Sequence, residues 1–359
     1  MGPPGHNTGR RRLLDARAGR ATAARFHPGR HPRAYDAGRC SMSITCGLLP
    51  VLQPGEHESE YELNDYEGAR ARWCPGCGDH SILASVQKLL AAEQLTPEQT
   101  VFVSGIGCSS RFPHYLKTYG FHGIHGRALP VATGIKLTRP DLEVFVVMGD
   151  GDCTSIGAAH WVHALRYNVN LTVLLLDNGI YALTKNQTSP TTPQGFASNT
   201  MPQGGVLPSL NPLSVSLGVT NASFVAQTAE WVPAHLYATL RAAYHHRGLS
   251  FVRILQRCPI YSAAVYQAAV QDPANIAMLN HDDGVVVPEL NKLYRTQIAH
   301  DPHDLDAARR VAGATDHIHL GVLYRDPSRP RYEEIRRVPP RTPEERVTLI
   351  DAELDRYAV

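Results

Sequence analysis

Short apolar runs alternate with amphipathic segments along the middle of the chain. Four runs are apolar almost throughout, as buried β-strands are: Val101–Gly105, Glu143–Met148, Leu171–Leu176 and Ser250–Leu255. Helix-type patterns lie around them, at Asp79–Glu93, Arg127–Leu137, Ser155–Tyr167 and Glu230–His246, and Asp79 is placed to cap the first helix. Because wholly apolar strands must be covered on both faces, the pattern predicts an α/β fold in which helices cover both faces of a parallel sheet.

Composition divides the chain into three regions. Residues 1–60 form a basic leader, residues 61–270 carry the alternating pattern, and residues 271–359 form a C-terminal extension that we expect to pack on the domain or on a partner subunit. The first 41 residues contain nine arginines but only two acidic residues, which predicts disorder. An Arg-rich leader is also typical of a transit peptide, although no serine precedes Ser41. A further hypothesis is that Met42 is the true start, so that residues 1–41 are absent from the native protein.

Charge and cysteine usage exclude several classes of protein. The 359 residues carry a formal net charge of +2, which is too small to indicate nucleic acid or a membrane surface as a partner. The apolar runs are also too short to span a bilayer. The seven cysteines are an odd number without an apolar signal segment before them, which argues against a secreted disulfide framework. We therefore expect a cytoplasmic protein whose closely spaced cysteines are metal ligands or redox groups.

Polar or thiol-bearing residues follow the end of each predicted strand. Cys108 comes after the first strand, Asp150 after the second, Asn178 after the third and Cys258 after the last. Ligands of parallel α/β sheets collect beyond the carboxyl ends of the strands. The four residues are therefore expected at one edge of the sheet.

The segment Gly149-Asp150-Gly151, followed by Asn178, predicts a site for a metal and a diphosphate. Glycines between a strand and a helix allow the backbone to approach a phosphate closely, and the helix N-terminus favours the negative charge. Mg²⁺ prefers oxygen ligands, which the Asp150 carboxylate and the Asn178 amide supply from neighbouring strands. Gly-Asp-Gly alone is typical of an ordinary turn, and Asn178 makes the metal–diphosphate interpretation the stronger one.

A second group of residues consists of Cys74 and Cys77, which are spaced as Cys-x-x-Cys, together with Cys108 and Cys258. A four-cysteine shell suits either zinc or a [4Fe–4S] cluster, and a Cys-x-x-Cys pair alone also serves as a redox dithiol. Zinc ribbons usually supply a second close pair, whereas Cys108 and Cys258 are singletons at distant strand ends. Proximity to the predicted diphosphate site favours the cluster.

The segments WCPGCG, GIGCSSR, HGRALPVATGIK, MGDGD and DNGIYALTKNQTSPTT, between Trp73 and Thr192, resemble the β subunits of 2-oxoacid:ferredoxin oxidoreductases. The resemblance implies a thiamine diphosphate-binding fold with Mg²⁺ held by Asp150, Asn178 and the carbonyl of Ile180. It also implies that Cys74, Cys77, Cys108 and Cys258 hold one [4Fe–4S] cluster. The cofactor would be lined by Ile106, Gly107, Cys108, Ser109, His125, Gly126, Arg127, Ala128, Gly149, Gly151, Asp152, Cys153, Thr154, Ala182 and Leu183.

The resemblance is strongest to the 2-oxoglutarate branch of this family. It implies oxidative decarboxylation of 2-oxoglutarate with coenzyme A to succinyl-CoA and CO₂, electron transfer to ferredoxin, and an α subunit that completes the active site. Lys185 lies in a Leu-Thr-Lys-x-Gln segment, and its ammonium could pair with the distal carboxylate of 2-oxoglutarate. Asn186 stands where the family usually has glycine, which affects the expected loop conformation. The alternatives are a subunit acting on pyruvate or another 2-oxoacid, a thiamine-dependent decarboxylase with structural zinc, and a non-catalytic zinc scaffold.

Overall fold

The computed structural model describes residues 61–336 and 342–357. The predicted leader at residues 1–60 lies outside these ranges. Within them, the strands are β1 Thr100–Ser104, β2 Tyr119–His122, β3 Glu143–Gly149, β4 Leu171–Asp177, β5 Phe224–Ala229, β6 Leu249–Leu255, β7 Ile276–Asn280, β8 Thr296–Ala299 and β9 Ile318–Arg325. The α-helices are α1 Asp79–Ala92, α2 Ala128–Thr138, α3 Ala158–Tyr167, α4 Pro212–Gly218, α5 Pro233–His245, α6 Gln267–Gln271, α7 Leu305–Gly313, α8 Tyr332–Ile335 and α9 Pro343–Asp355.

The nine strands form one sheet in the order β2-β1-β3-β4-β6-β5-β9-β7-β8. All neighbouring pairs are parallel except β5 and β9, which run antiparallel. The parallel α/β sheet expected from the alternating pattern is therefore confirmed. Its four predicted strands are β1, β3, β4 and β6, which are neighbours at the centre and one side of the sheet.

Both faces of the sheet are covered, because successive side chains of the central strands enter two different cores. On β3, Val144, Val146 and Met148 pack with residues of α2 and α3, whereas Phe145 and Val147 pack on the opposite face with residues of α1 and α5. Burying both faces requires the continuous apolar runs seen in the sequence.

The segment after residue 270 adds strands to this sheet. β9 pairs with β5 along Phe224–Gln227, and β7 and β8 continue the sheet beyond β9. The predicted C-terminal extension therefore contributes one third of the strands to the sheet of the predicted domain. In the described ranges, no helix has both the length and the apolarity needed to cross a membrane.

Candidate active site

A cleft lies beyond the carboxyl ends of β1, β3 and β4, where three loops leave the sheet. Parallel strands bring these loops together, as the positions of the polar residues predicted. The lining residues are Ile106, Gly107, Cys108, Ser109, His125, Gly149, Asp150, Gly151, Asp152, Asn178, Ile180, Tyr181, Ala182, Leu183 and Thr184. The metal–diphosphate group and one thiol of the cysteine group therefore share a cleft.

Asp150 follows β3 directly and is buried. Its Oδ2 accepts hydrogen bonds from the hydroxyl of Ser189 and, at 2.9 Å, from that of Thr191. Burial raises the pKa of Asp150 to about 7, and the nearby Asp177 carboxylate acts in the same direction. A bound cation would oppose both effects and stabilise the charged carboxylate.

Thr191 links this carboxylate to a buried ion pair. Its hydroxyl also lies 2.9 Å from Oδ1 of Asp177, so its one hydrogen can be donated to either carboxylate. Oδ2 of Asp177 is 2.6 Å from Nη2 of Arg253, a side chain that extends from β6. Neither Ser189 nor Thr191 was assigned a role from the sequence, because 39 or 41 residues separate them from Asp150.

The turn after β4 positions the other two expected metal ligands. Oδ1 of Asn178 accepts a hydrogen bond from the backbone N–H of Ile180 at 3.0 Å, which is the geometry of an Asx turn. The backbone carbonyl of Asn178 is held in turn by the hydroxyl of Ser262 at 2.8 Å. A carboxylate, an amide oxygen and a main-chain carbonyl in one cleft are the donor types that Mg²⁺ requires. The residues present therefore fit the ion, and their role as ligands remains a prediction.

Gly151 lies against an aromatic ring that the sequence did not bring to attention. A Cβ atom on Gly151 would lie 2.1 Å from Cε1 of Tyr181, so any larger residue there would displace the Tyr181 ring. The Tyr181 hydroxyl donates to the Gly151 carbonyl at 3.0 Å, and its ring contacts His125 edge-on with centroids 6.0 Å apart. Tyr181 thus connects the turn after β3 with the loop before α2.

Several of the predicted cofactor residues do not line the cleft. Gly126, Ala128, Cys153 and Thr154 are buried, and Cys153 belongs to the apolar core. Arg127 is exposed, and its guanidinium donates to the Ile156 carbonyl at 3.3 Å. Lys185 is also exposed and is not among the lining residues, although Leu183 and Thr184 of the same loop are. Contact between these residues and a cofactor or substrate remains a prediction.

The loop that carries Lys185 has an unusual backbone. Lys185 and Asn186 both have positive φ values, +71° and +69°. Glycine is favoured in this region, and asparagine tolerates it better than most other residues. Asn186 therefore suits the backbone conformation of this loop, as a glycine would.

The four cysteines of the second group are free thiols: Cys74, Cys77, Cys108 and Cys258. Cys108 packs against a small apolar cluster that contains Cys258. Burial raises the pKa of the Cys108 thiol to about 12, and the charges of Asp79, Cys258 and Cys74 act in the same direction. Burial also raises the pKa of Cys77, with Asp79, Cys108 and Cys258 contributing. Bound iron or zinc would hold such thiols as thiolates.

Two polar side chains, those of Asp79 and Gln256, lie beside Cys77. The predicted capping role of Asp79 is wrong, because Gly78 occupies the N-cap and no side chain there accepts a backbone N–H. Asp79 is the first residue of α1 and is buried beside Cys77, and burial raises its pKa to about 7. From the other side, Nε2 of Gln256 donates to Sγ of Cys77 at 3.3 Å.

In the ranges 61–336 and 342–357, no group of three or more His, Cys, Asp and Glu side chains has the arrangement needed to hold a metal ion. The cysteine ligands of an iron–sulfur cluster bind different iron atoms, so their sulfurs lie farther apart than those around one zinc ion. Four free thiols, some of which act on one another through their charges, with an amide donor at one sulfur, are the ligand type that such a cluster needs, and their role as its ligands remains a prediction.

Two family models match this chain. Residues 105–254 match the C-terminal TPP-binding domain of thiamine pyrophosphate enzymes, and residues 290–338 match the C-terminal part of the pyruvate ferredoxin oxidoreductase β subunit. The 2-oxoacid:ferredoxin oxidoreductase 1 subunit beta of Aeropyrum pernix is 38% identical over 262 residues, which are 73% of this chain and 80% of that protein. This chain belongs to the β subunits of 2-oxoacid:ferredoxin oxidoreductases.

Other relatives of this β subunit carry 2-oxoglutarate in their names. The 2-oxoglutarate oxidoreductase subunit KorB of Mycobacterium tuberculosis is 44% identical over 248 residues, which are 68% of this chain and 65% of that protein. The chain thus spans just under two thirds of the length of that relative. A solved structure of 2-oxoglutarate:ferredoxin oxidoreductase from Magnetococcus marinus, with 2-oxoglutarate, coenzyme A and succinyl-CoA bound, matches with a TM-score of 0.67 and 33% identity. The match covers 83% of this chain and 93% of that one. The family resemblance stated from the motifs is confirmed.

Proposed function

We propose that this β subunit carries the thiamine diphosphate, the Mg²⁺ and the [4Fe–4S] cluster of a 2-oxoglutarate:ferredoxin oxidoreductase. The complex would convert 2-oxoglutarate and coenzyme A to succinyl-CoA and CO₂ and pass electrons to ferredoxin. The observation that carries the proposal is the shared cleft, in which Asp150, Asn178 and Ile180 lie together with the loop of Cys108. The names of the KorB relatives and of the Magnetococcus marinus structure support 2-oxoglutarate as the substrate.

The residues of the cleft would bind the metal ion and the diphosphate of the cofactor. Asp150, Asn178 and the Ile180 carbonyl would hold the ion, while Ser189 and Thr191 fix the Asp150 carboxylate. The backbone at Gly149 and Gly151 allows a diphosphate to approach closely. When bound, thiamine diphosphate supplies the electron sink for decarboxylation of a 2-oxoacid, so the protein's task is positioning and exclusion of water.

The cysteine group would provide the exit for electrons. Cys108 both lines the cleft and lies near Cys258, so a cluster held by Cys74, Cys77, Cys108 and Cys258 would adjoin the cofactor. Its potential would respond to hydrogen bonds at the sulfurs, such as the one from Gln256 to Cys77. We expect an α subunit to complete the active site and ferredoxin to accept the electrons. The cytoplasm, where thiols stay reduced, suits these requirements.

Substrate choice can be tested on the loop after β4. If the Lys185 ammonium pairs with the distal carboxylate of 2-oxoglutarate, then Lys185→Ala should raise KM for 2-oxoglutarate by about 10-fold or more, the value of a lost charged contact. KM for pyruvate, which lacks that carboxylate, should change little. Lys292→Ala, an exposed lysine between β7 and β8, is the matched control. Equal changes in KM for both substrates would contradict the assignment.

The whole proposal is tested on the complex co-purified with its α subunit. Reduction of viologen should require coenzyme A and be faster with 2-oxoglutarate than with pyruvate, and a preference for pyruvate would replace the substrate assignment. Iron and acid-labile sulfide should be present near four of each per chain, whereas zinc without sulfide would support the decarboxylase alternative. Thiamine diphosphate should be released on denaturation. Its absence, with zinc present, would leave only the scaffold alternative.

A further inference from the structure

Asp152 lies two residues beyond the expected metal ligand Asp150 and was predicted from the sequence to contact the cofactor. Its side chain is buried, with 1% of its surface exposed. Its carboxylate accepts hydrogen bonds from other residues of this chain. Oδ1 accepts from the backbone N–H of Gly126 at 2.7 Å, from that of Ile106 at 3.2 Å, and from Nδ1 of His125.

These three donors come from two different loops. Ile106 lies on the loop after β1, which also carries Cys108, and His125 and Gly126 lie on the loop before α2. Asp152 itself begins the π-helical turn Asp152–Ile156, which follows the turn after β3. One carboxylate oxygen therefore joins three chain segments that meet at the cleft and that are far apart in sequence. A charged acceptor makes each of these hydrogen bonds stronger than a neutral acceptor would.

The backbone of the first loop is shaped around the same carboxylate. A Cβ atom on Gly105 would lie 2.0 Å from Oδ2 of Asp152, so a larger residue cannot occupy that position without moving the aspartate. In the ranges that the structure describes, Oδ2 has no hydrogen-bond partner. The close approach of Gly105 closes this oxygen off on one side.

The ring of His125 is held on two sides. A carboxylate opposite Nδ1 selects the form in which this nitrogen carries the hydrogen and donates it. Tyr181 contacts the ring edge-on and is itself anchored to the Gly151 carbonyl. Since Nδ1 is occupied by Asp152 and His125 lines the cleft, Nε2 is the ring nitrogen that remains for a ligand.

We infer that Asp152 is a positioning residue, which orients His125 and joins the loops of Ile106 and Gly126 so that the cleft can receive its cofactor. This inference rests on the proposed function, because it presupposes that the cleft binds thiamine diphosphate. Groups that orient the residues touching a bound cofactor or metal are typically worth 10- to 100-fold in affinity.

The test is titration calorimetry of thiamine diphosphate, with Mg²⁺ present, on the cofactor-stripped complex of both subunits. Asp152→Ala should raise the dissociation constant by about 10- to 100-fold. Asp152→Asn, which keeps the shape but loses the charge, should raise it less. The matched control is Asp316→Ala, an exposed aspartate that pairs with His317 at 3.0 Å outside the cleft, and it should leave the constant unchanged.

A double-mutant cycle separates positioning from direct contact. If Asp152 acts through His125, then Asp152→Ala should cost less affinity in a His125→Ala background than in the wild type. Amide hydrogen exchange adds a measurement that does not depend on cofactor binding. Loss of the carboxylate should speed exchange at the Ile106 and Gly126 amides in the cofactor-free complex and leave β4 unchanged. Faster exchange throughout the sheet would instead indicate a general folding role and overturn the inference.

The outcomes distinguish the inference from the proposed function. A wild-type complex that binds no thiamine diphosphate would refute the proposed function. A wild-type complex that binds it, with unchanged affinity in Asp152→Ala or with fully additive effects of the two substitutions, would overturn the positioning role alone. If the alanine variant does not fold, Asp152→Asn carries the same comparison.

Discussion

Replacing Arg253 by methionine tests the ion pair between Arg253 and Asp177, which lies beside the expected metal ligand Asp150. The guanidinium donates through Nε to Oδ2 of Asp177 at 2.7 Å and through Nη1 to Oε1 of Gln227 at 3.1 Å. The side chain of Asp177 is 0% exposed and that of Arg253 is 17% exposed. Methionine retains much of the apolar stem and removes the charge. The carboxylate of Asp177 would then be buried without a counter-charge beside the carboxylate of Asp150.

Breaking a buried ion pair by removing one partner costs about 3–5 kcal/mol, since the remaining charge stays desolvated. We expect the lower end, about 3 kcal/mol of unfolding free energy, because solvent reaches part of the guanidinium. The double variant Asp177→Asn/Arg253→Met should recover most of this loss. An asparagine Oδ1 can still accept from the Gly179 N–H, as the aspartate Oδ1 does now at 3.0 Å, and from the Thr191 hydroxyl, which lies 2.9 Å away.

The assay is guanidinium unfolding of the purified complex, followed by tryptophan fluorescence and compared at equal subunit concentration. The single variant should unfold at a lower denaturant concentration than the wild type, and the double variant should lie between them, nearer the wild type. A single variant within about 1 kcal/mol of the wild type would refute the reasoning, since an isolated buried carboxylate is worth more than that. A double variant as unstable as the single one would show that the loss came from packing or from Gln227.

Three further predictions concern pH, redox potential and cofactor binding. Burial lowers the pKa of His235 to about 4 in the folded protein, whereas histidine in the unfolded chain has a pKa of about 6.5. The stability that neutral His235 contributes is therefore complete above about pH 6.5 and falls as the pH drops toward 4. Between pH 7 and pH 5 the wild type should lose about 2 kcal/mol more unfolding free energy than His235→Leu, and equal losses would contradict this. Gln256→Leu should lower the reduction potential of the proposed cluster in an EPR titration, because a hydrogen bond to a sulfur stabilises the reduced state, and an unchanged potential would remove that role. Gly151→Ala should weaken thiamine diphosphate binding about 10-fold or more by displacing Tyr181, whereas Gly134→Ala, with open space on the exposed side of α2, should leave binding unchanged.

Two of the strands that sequence analysis missed, β2 and β5, lack the continuous apolar run on which it depended. β2, Tyr119–His122, is an exposed edge strand of four residues, so no burial pattern marks it. β5 is buried throughout, but Gln227 and Thr228 interrupt its apolar run. Their polar groups are satisfied only in the folded chain, where Gln227 meets Arg253 and Thr228 meets His235. Tertiary partners make a buried polar strand possible, and such partners are not visible in a local pattern.

The site was predictable where it depended on strand ends and was missed where it depended on loops that fold back. Asp150 and Asn178 follow β3 and β4 directly, so parallel topology alone brings them together. Ser189 and Thr191 reach Asp150 only because the loop after β4 returns to the sheet edge. A motif can name the residues at strand ends, but the hydroxyls that hold them depend on the path of a loop.

The loop after β1 explains why the predicted cofactor and cluster sites share one edge. Residues Ile106–Ser109 of this loop line the cleft, and Cys108 packs against the small group of buried apolar residues that contains Cys258. The same loop is fixed at Ile106 by Asp152, and the Cys108 carbonyl accepts from Nε1 of Trp73 at 2.8 Å, which ties the loop to the Cys-x-x-Cys segment. A shift of this loop would therefore disturb both sites at once. Variants of Asp152 should alter the spectroscopic properties of the proposed cluster as well as cofactor affinity, and two independent sites would not show that coupling.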